Sequence, residues 1–77
     1  MNKEETVLKI LNEMFPFGNI EATTELIDSN ILTSLDLFAL VAELEEVFDF
    51  RISEELIDVD NFVNVKIIVE NVLGAIE

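Results

Sequence analysis

The sequence has no cysteine, no histidine and no tryptophan, a single proline, two glycines, and 4 basic residues against 17 acidic ones. Each scarcity excludes something. Without cysteine there is neither a disulfide framework nor a thiolate zinc site. Without histidine, most imidazole-based catalysis and metal ligation also go. At net charge −13 and pI ≈ 4.1 the phosphate backbone would repel the chain, so no nucleic-acid partner is expected. No run reaches the ~18 apolar residues of a membrane span. Charges at Lys3, Glu4, Glu5, Lys9 and Glu13 break up the N-terminal stretch, where a signal peptide would carry an apolar core. The expectation is a cytoplasmic protein with no transmembrane segment. Neither a solenoid-type repeat nor a low-complexity tract occurs.

What is present is apolar mass. Of the 77 residues, 51% are hydrophobic, which argues against disorder despite the charge. The length allows one small domain, residues 1–77, with a modest core, because a chain of this size buries only about 60% of its unfolded surface. A monomer handled by basic partners is expected.

Periodicity organises the chain into helices. Val7, Ile10, Leu11 and Met14 recur at i, i+3, i+4 and i+7, while Lys3, Glu5, Lys9 and Glu13 fill the other face. Pro16 and Gly18 end this first helix, since Pro16 lacks a donor and disfavours helical geometry at Phe15. Residues 16–32 read as a long connection with a weak turn at Ala22 to Leu26. Its apolar residues Phe17, Ile20, Leu26, Ile27, Ile31 and Leu32 predict a loop pinned onto a core. A second helix starts at Thr33 or Ser34, with Leu37, Leu40, Val41, Leu44 and Phe48 on its buried stripe. Thr33 followed three residues later by Asp36 resembles a capping box, and Asp36 suits the positive end of the helix dipole. After Phe48 the segment Asp49 to Ile52 reads as short and extended. Ser53 to Leu56 reads as the start of a short third helix, capped by Ser53. The last helix is expected from near Asn64, with Val65, Ile68, Val69 and Val72 buried and fraying at Gly74. The fold class is therefore all-α: a small four-helix bundle, three main helices plus a short third, with a long first loop.

Most chemistry-bearing patterns dissolve on inspection. The run from Asp58 to Asn64 superficially suggests a calcium loop. Counted from Asp58, however, Phe62, Val63 and Val69 stand where an EF-hand needs an oxygen ligand, a glycine and a bidentate glutamate. No metal site is expected. Glu45 with Glu46, and Glu54 with Glu55, are neighbours pointing about 100° apart on a helix, so neither pair can flank one substrate bond. Phe38, Phe48, Phe50 and Phe62 read as core. No catalytic residue is expected, and the chain is not expected to be an enzyme.

One segment resists the bland reading. Residues 30–52 place Ser34 at the start of the clearest helix, after a long loop, with acids spaced behind it. Thr33-Ser34-Leu35-Asp36, the acidic helix, Phe48-Asp49 and Ile52, and then Asp60-Asn61-Phe62-Val63-Asn64-Val65 together resemble the acyl carrier protein family. That family includes acyl, D-alanyl and peptidyl-type carriers. The resemblance runs over nearly the whole chain in length, acidity and helix order. It implies that Ser34 receives 4'-phosphopantetheine from coenzyme A through a phosphopantetheinyl transferase. It also implies that the cofactor thiol carries acyl or aminoacyl thioesters between a loading enzyme and downstream transferases or synthases. The pathway could be of fatty acid, polyketide, nonribosomal peptide or D-alanylation type, with Asn61-Phe62 leaning away from the first. Leu35, Asp36, Glu43, Glu45 and Glu46 then form the face that partner enzymes recognise.

Thr33 stands where the family most often has aspartate, which bears on which transferase acts; a threonine can still cap the helix. Asn30 stands where glycine is frequent, and asparagine tolerates the left-handed region. Asp28-Ser29 is a literal Asp-Ser pair, but no helix starts behind it, so Ser34 ranks above Ser29. Helix capping is what a serine at such a position ordinarily does. The reading from a different class is an acidic interaction module or nucleic-acid mimic that blocks a basic protein surface without any cofactor.

Overall fold

The computed structural model describes residues 2–74. Helix α1 spans Lys3–Met14, and Asn2 caps it by accepting the Glu5 N–H on its side-chain oxygen. Val7, Ile10 and Leu11 are buried and Met14 is half-buried, as the spacing predicts. Helix α2 spans Ser34–Phe48 and buries Leu37, Leu40, Val41 and Leu44. It ends where Asp49 turns left-handed at φ 53, and the Asp49 and Phe50 N–H groups both return to the Glu45 carbonyl. A 3₁₀ turn at Glu54–Leu56 and a second at Val59–Asn61 lead to the last helix, α3. α3 opens as Val65–Ile67 and widens into a π turn over Ile68–Val72. The architecture is an all-α small helical bundle, three main helices and one short, with no strand among the described residues. α1 packs against both α2 and α3, with Phe62, Leu11, Leu26 and Leu44 sealed between the layers. None of its helices is long and apolar enough to cross a membrane, counted over the described residues.

The long connection is held from both sides. Asn12 on α1 clasps Ile20, Leu26 N–H donates to the Val63 carbonyl at 2.8 Å, and Lys66 N–H reaches back to the Ala22 carbonyl at 3.3 Å. Ile20, Leu26 and Leu32 are buried beneath these ties, which satisfy backbone groups that a buried loop would otherwise strand. Phe17 departs from the expected pattern: it is 96% exposed. Its neighbours Phe15 and Gly18 turn the chain tightly, Gly18 N–H donating to the Phe15 carbonyl, and that leaves the Phe17 ring outside.

Two expectations about the second half change. Ser53 flanks the short third helix without capping it, since its side chain makes no cap hydrogen bond, and that helix is one 3₁₀ turn. The segment read as short and extended, Asp49 to Ile52, opens on the left-handed Asp49; Ile52 is buried in it, and Phe48 meets Phe50 edge-on, ring centroids 6.4 Å apart. The last helix does start after Asn64, whose side chain accepts the Ile67 N–H at 2.8 Å. It does not stay α-helical. Leu73 N–H donates five residues back, to the Ile68 carbonyl, and Val72 and Leu73 are both buried. The helix ends at Val72, and at Gly74 a Cβ would lie 2.4 Å from the Glu70 carbonyl oxygen, so the close approach requires glycine; the fraying expected from there on falls outside the described residues.

Candidate functional site

The start of α2 is built in three steps. Asn30 takes φ 61, the left-handed value its side-chain chemistry permits, and turns the chain toward the helix. Leu32 is buried and anchors the approach. Thr33 then occupies the cap position in extended geometry (φ −91, ψ 177) and closes a complete capping box. Thr33 Oγ1 accepts the Asp36 N–H at 3.3 Å, and Thr33 N–H donates to Asp36 Oδ2 at 3.2 Å. The Leu37 N–H is taken by the Thr33 carbonyl at 2.9 Å.

Those bonds decide what Ser34 is doing. It is the first helical residue and not the cap, so the ordinary capping role belongs to its neighbour. Its side chain is exposed, and no hydrogen bond engages its hydroxyl among the described residues. The Ser34 and Leu35 N–H groups belong to the opening turn, where a helix has no intrahelical acceptors, and the positive end of the dipole lies there too. Beside the serine lies an open depression of ≈ 360 Å³, lined by Ile27, Asn30, Leu32, Leu37 and Val59. Ser29 sits differently. It lies in the loop, with its hydroxyl donating to the Glu25 carbonyl.

No family model matches the chain, and no curated protein or solved structure matches it.

The five other residues singled out from the sequence divide into two groups. Leu35 is 82% exposed, and Glu43 and Glu46 are exposed on the same outward side of α2. Asp36 and Glu45 are committed within the fold. Asp36 serves the cap. Glu45 Oε2 accepts the Ile52 N–H at 2.8 Å and lies 3.9 Å from Arg51 Nε, tying the chain after α2 back to the helix. The residue that sequence reasoning missed is Phe38. It reads as core by type, yet it is 61% exposed. The signal was available: Phe38 is out of phase with the stripe Leu37, Leu40, Val41 and Leu44. Phe62 is fully buried, and Phe48 and Phe50 are half-buried against the core. Asp58 has a local role, accepting the Asp60 N–H to start the second 3₁₀ turn.

Proposed function

We propose that this chain is a carrier protein of the acyl-carrier type. In this reading Ser34 bears 4'-phosphopantetheine, and the chain itself is not an enzyme. The observation that carries the reading is the exposed, unengaged Ser34 hydroxyl at the first residue of α2, freed from capping by the Thr33–Asp36 pair. No base lies within hydrogen-bond reach of that hydroxyl among the described residues, and a serine nucleophile needs one. Activation would come from a modifying transferase, which delivers the phosphopantetheinyl group from coenzyme A. The group, once attached, supplies a thiol that carries acyl or aminoacyl cargo as a thioester.

The residues around the serine fit such a group. A phosphodiester on Ser34 would sit at the opening turn of a fifteen-residue helix, facing backbone N–H groups and the dipole. The depression lined by Ile27, Leu37 and Val59 offers the start of the arm an apolar wall. Leu35 and Phe38 are exposed apolar side chains of α2, and Glu43 and Glu46 are exposed acids on it, which suit a basic partner surface. Loading enzymes and acceptor transferases or synthases would meet the chain there.

The test is coexpression with a broad-specificity phosphopantetheinyl transferase followed by intact-protein mass spectrometry. One phosphopantetheine is expected on the wild type and none on Ser34→Ala. No mass gain with several transferases, or a gain that persists in Ser34→Ala, overturns the proposal and favours a cofactor-free acidic module.

A further inference from the structure

An uncharged corner of the molecule lies at the end of α1. The chain from Met14 to Gly18, together with Asn30 and Ile31, lines an open depression of ≈ 430 Å³. None of these residues is charged, and the two longest uncharged runs of the sequence, residues 14–20 and 29–35, both contribute to it. Phe17 belongs to the lining and is 96% exposed, the most exposed large apolar side chain among the described residues. We propose that this corner pairs with the same corner of a second copy of the chain, each Phe17 ring entering the other copy's depression.

Shape and charge favour a second copy as the occupant. An exposed ring beside an open hollow is self-complementary: a two-fold rotation lays each ring in the other's hollow, and the contact closes at two chains. Phe15, Pro16 and Ile31 give the incoming ring an apolar lining, with Phe15 and Ile31 held in place by packing on the core. Charge decides where two such chains can meet. At net charge −13 they repel, and the repulsion is least where no carboxylate belongs to the surface. The nearest acids in sequence, Glu13, Glu21, Asp28 and Asp36, all fall outside the lining, so a basic partner has no carboxylate to meet in it. The patch is small beside the ~20–30 residues a side of a stable interface, so the pair is weak and reversible. The pairing goes beyond the Ser34 reading and stands without it.

The experiment is sedimentation equilibrium of the full-length protein. Raising the salt shortens the Debye length from ~10 Å at 0.1 M to ~3 Å at 1 M, so the dimer should strengthen, with a dissociation constant below about 1 mM at the higher salt. Phe17→Ser should weaken it at least about tenfold, because each dimer buries two of these rings. That variant should keep the wild-type circular dichroism, since the ring is outside the fold. Phe38→Ser removes an exposed ring from α2 and should change association by less than about twofold. Concentration-dependent amide shifts of ¹⁵N-labelled protein should centre on Phe15, Phe17, Gly18, Asn30 and Ile31. Equal weakening by the two variants would mean unspecific apolar association, and the proposal fails. It fails also if species larger than a dimer form, if the shifts centre elsewhere, or if the chain stays monomeric at about 1 mM in high salt, which would leave the depression to a different ligand. Mass analysis of Ser34 in Phe17→Ser is a separate readout, so either reading can fall without the other.

Discussion

Asn12 on α1 and Ile20 in the long loop hold each other by two reciprocal hydrogen bonds. Ile20 N–H donates to Asn12 Oδ1, and Asn12 Nδ2 donates to the Ile20 carbonyl, both at 3.2 Å. The asparagine amide also reaches the Leu8 carbonyl at 3.0 Å, so one side chain fixes the loop to the helix that precedes it. An extended loop thereby gains the partner that a strand would have found in a sheet.

Asn12→Ala should lower stability by about 1–3 kcal/mol, the cost of leaving part-buried backbone groups without partners. Urea unfolding followed by circular dichroism measures it. An unchanged midpoint would mean that water replaces the clasp and that the loop is held by Ile20, Leu26 and Leu32 alone.

The division of labour at the start of α2 separates two neighbouring residues. Thr33→Ala removes the cap and should cost ~1 kcal/mol. Ser34→Ala should stay within about 0.5 kcal/mol of wild type, because its hydroxyl bonds to nothing among the described residues. Thermal melts of both variants decide it, and a larger loss for Ser34→Ala than for Thr33→Ala would return the capping role to the serine.

Asp49 ends α2 under two penalties. Its φ of 53 is left-handed, and its carboxylate sits at the negative end of the helix dipole. Asp49→Gly should therefore raise stability by ~1 kcal/mol, even though glycine gives the unfolded chain more freedom. A drop in melting temperature would show that the carboxylate has a compensating partner in solution.

Salt should stabilise the whole molecule. The chain measures 30 × 26 × 18 Å, and the Debye length falls from ~30 Å at 0.01 M to ~10 Å at 0.1 M. At the lower salt most of its acids repel across the fold; at the higher, only neighbours do. The melting temperature is expected to rise between the two, and a flat response would contradict it.

Reversal of Glu43 and Glu46 to lysine tests the outward face of α2 in the proposed carrier role. Transferase-catalysed modification of Ser34 should slow, with a smaller effect at high salt, as screened surface charges require. Rates that ignore the reversal would remove these two acids from the recognition surface.

Features governed by residues a few positions apart were legible in advance. The Thr33–Asp36 box, the start of the last helix near Asn64, the left-handed Asn30 and the stripes of α1 and α2 all follow from side chains bonding to, or packing beside, near neighbours in sequence. Ser53 shows the limit of that logic: a residue of the capping type stood at a helix start, and its hydroxyl found no acceptor role in a single 3₁₀ turn. Phe17 and Phe38 show another limit, because residue type alone placed them inside and the phase of turn and helix put them outside.

The sequence by itself determined an acidic, cysteine-free, all-α chain with a serine at the head of its best-formed helix. Composition and short-range periodicity suffice for that. Only the tertiary structure decided that the serine hydroxyl is unengaged, that Glu45 faces Ile52 and Arg51, and that Glu13 and Glu43 border one groove. The groove depends on how α1 and α2 pack, and packing joins residues far apart in the chain by filling space, which no local pattern encodes.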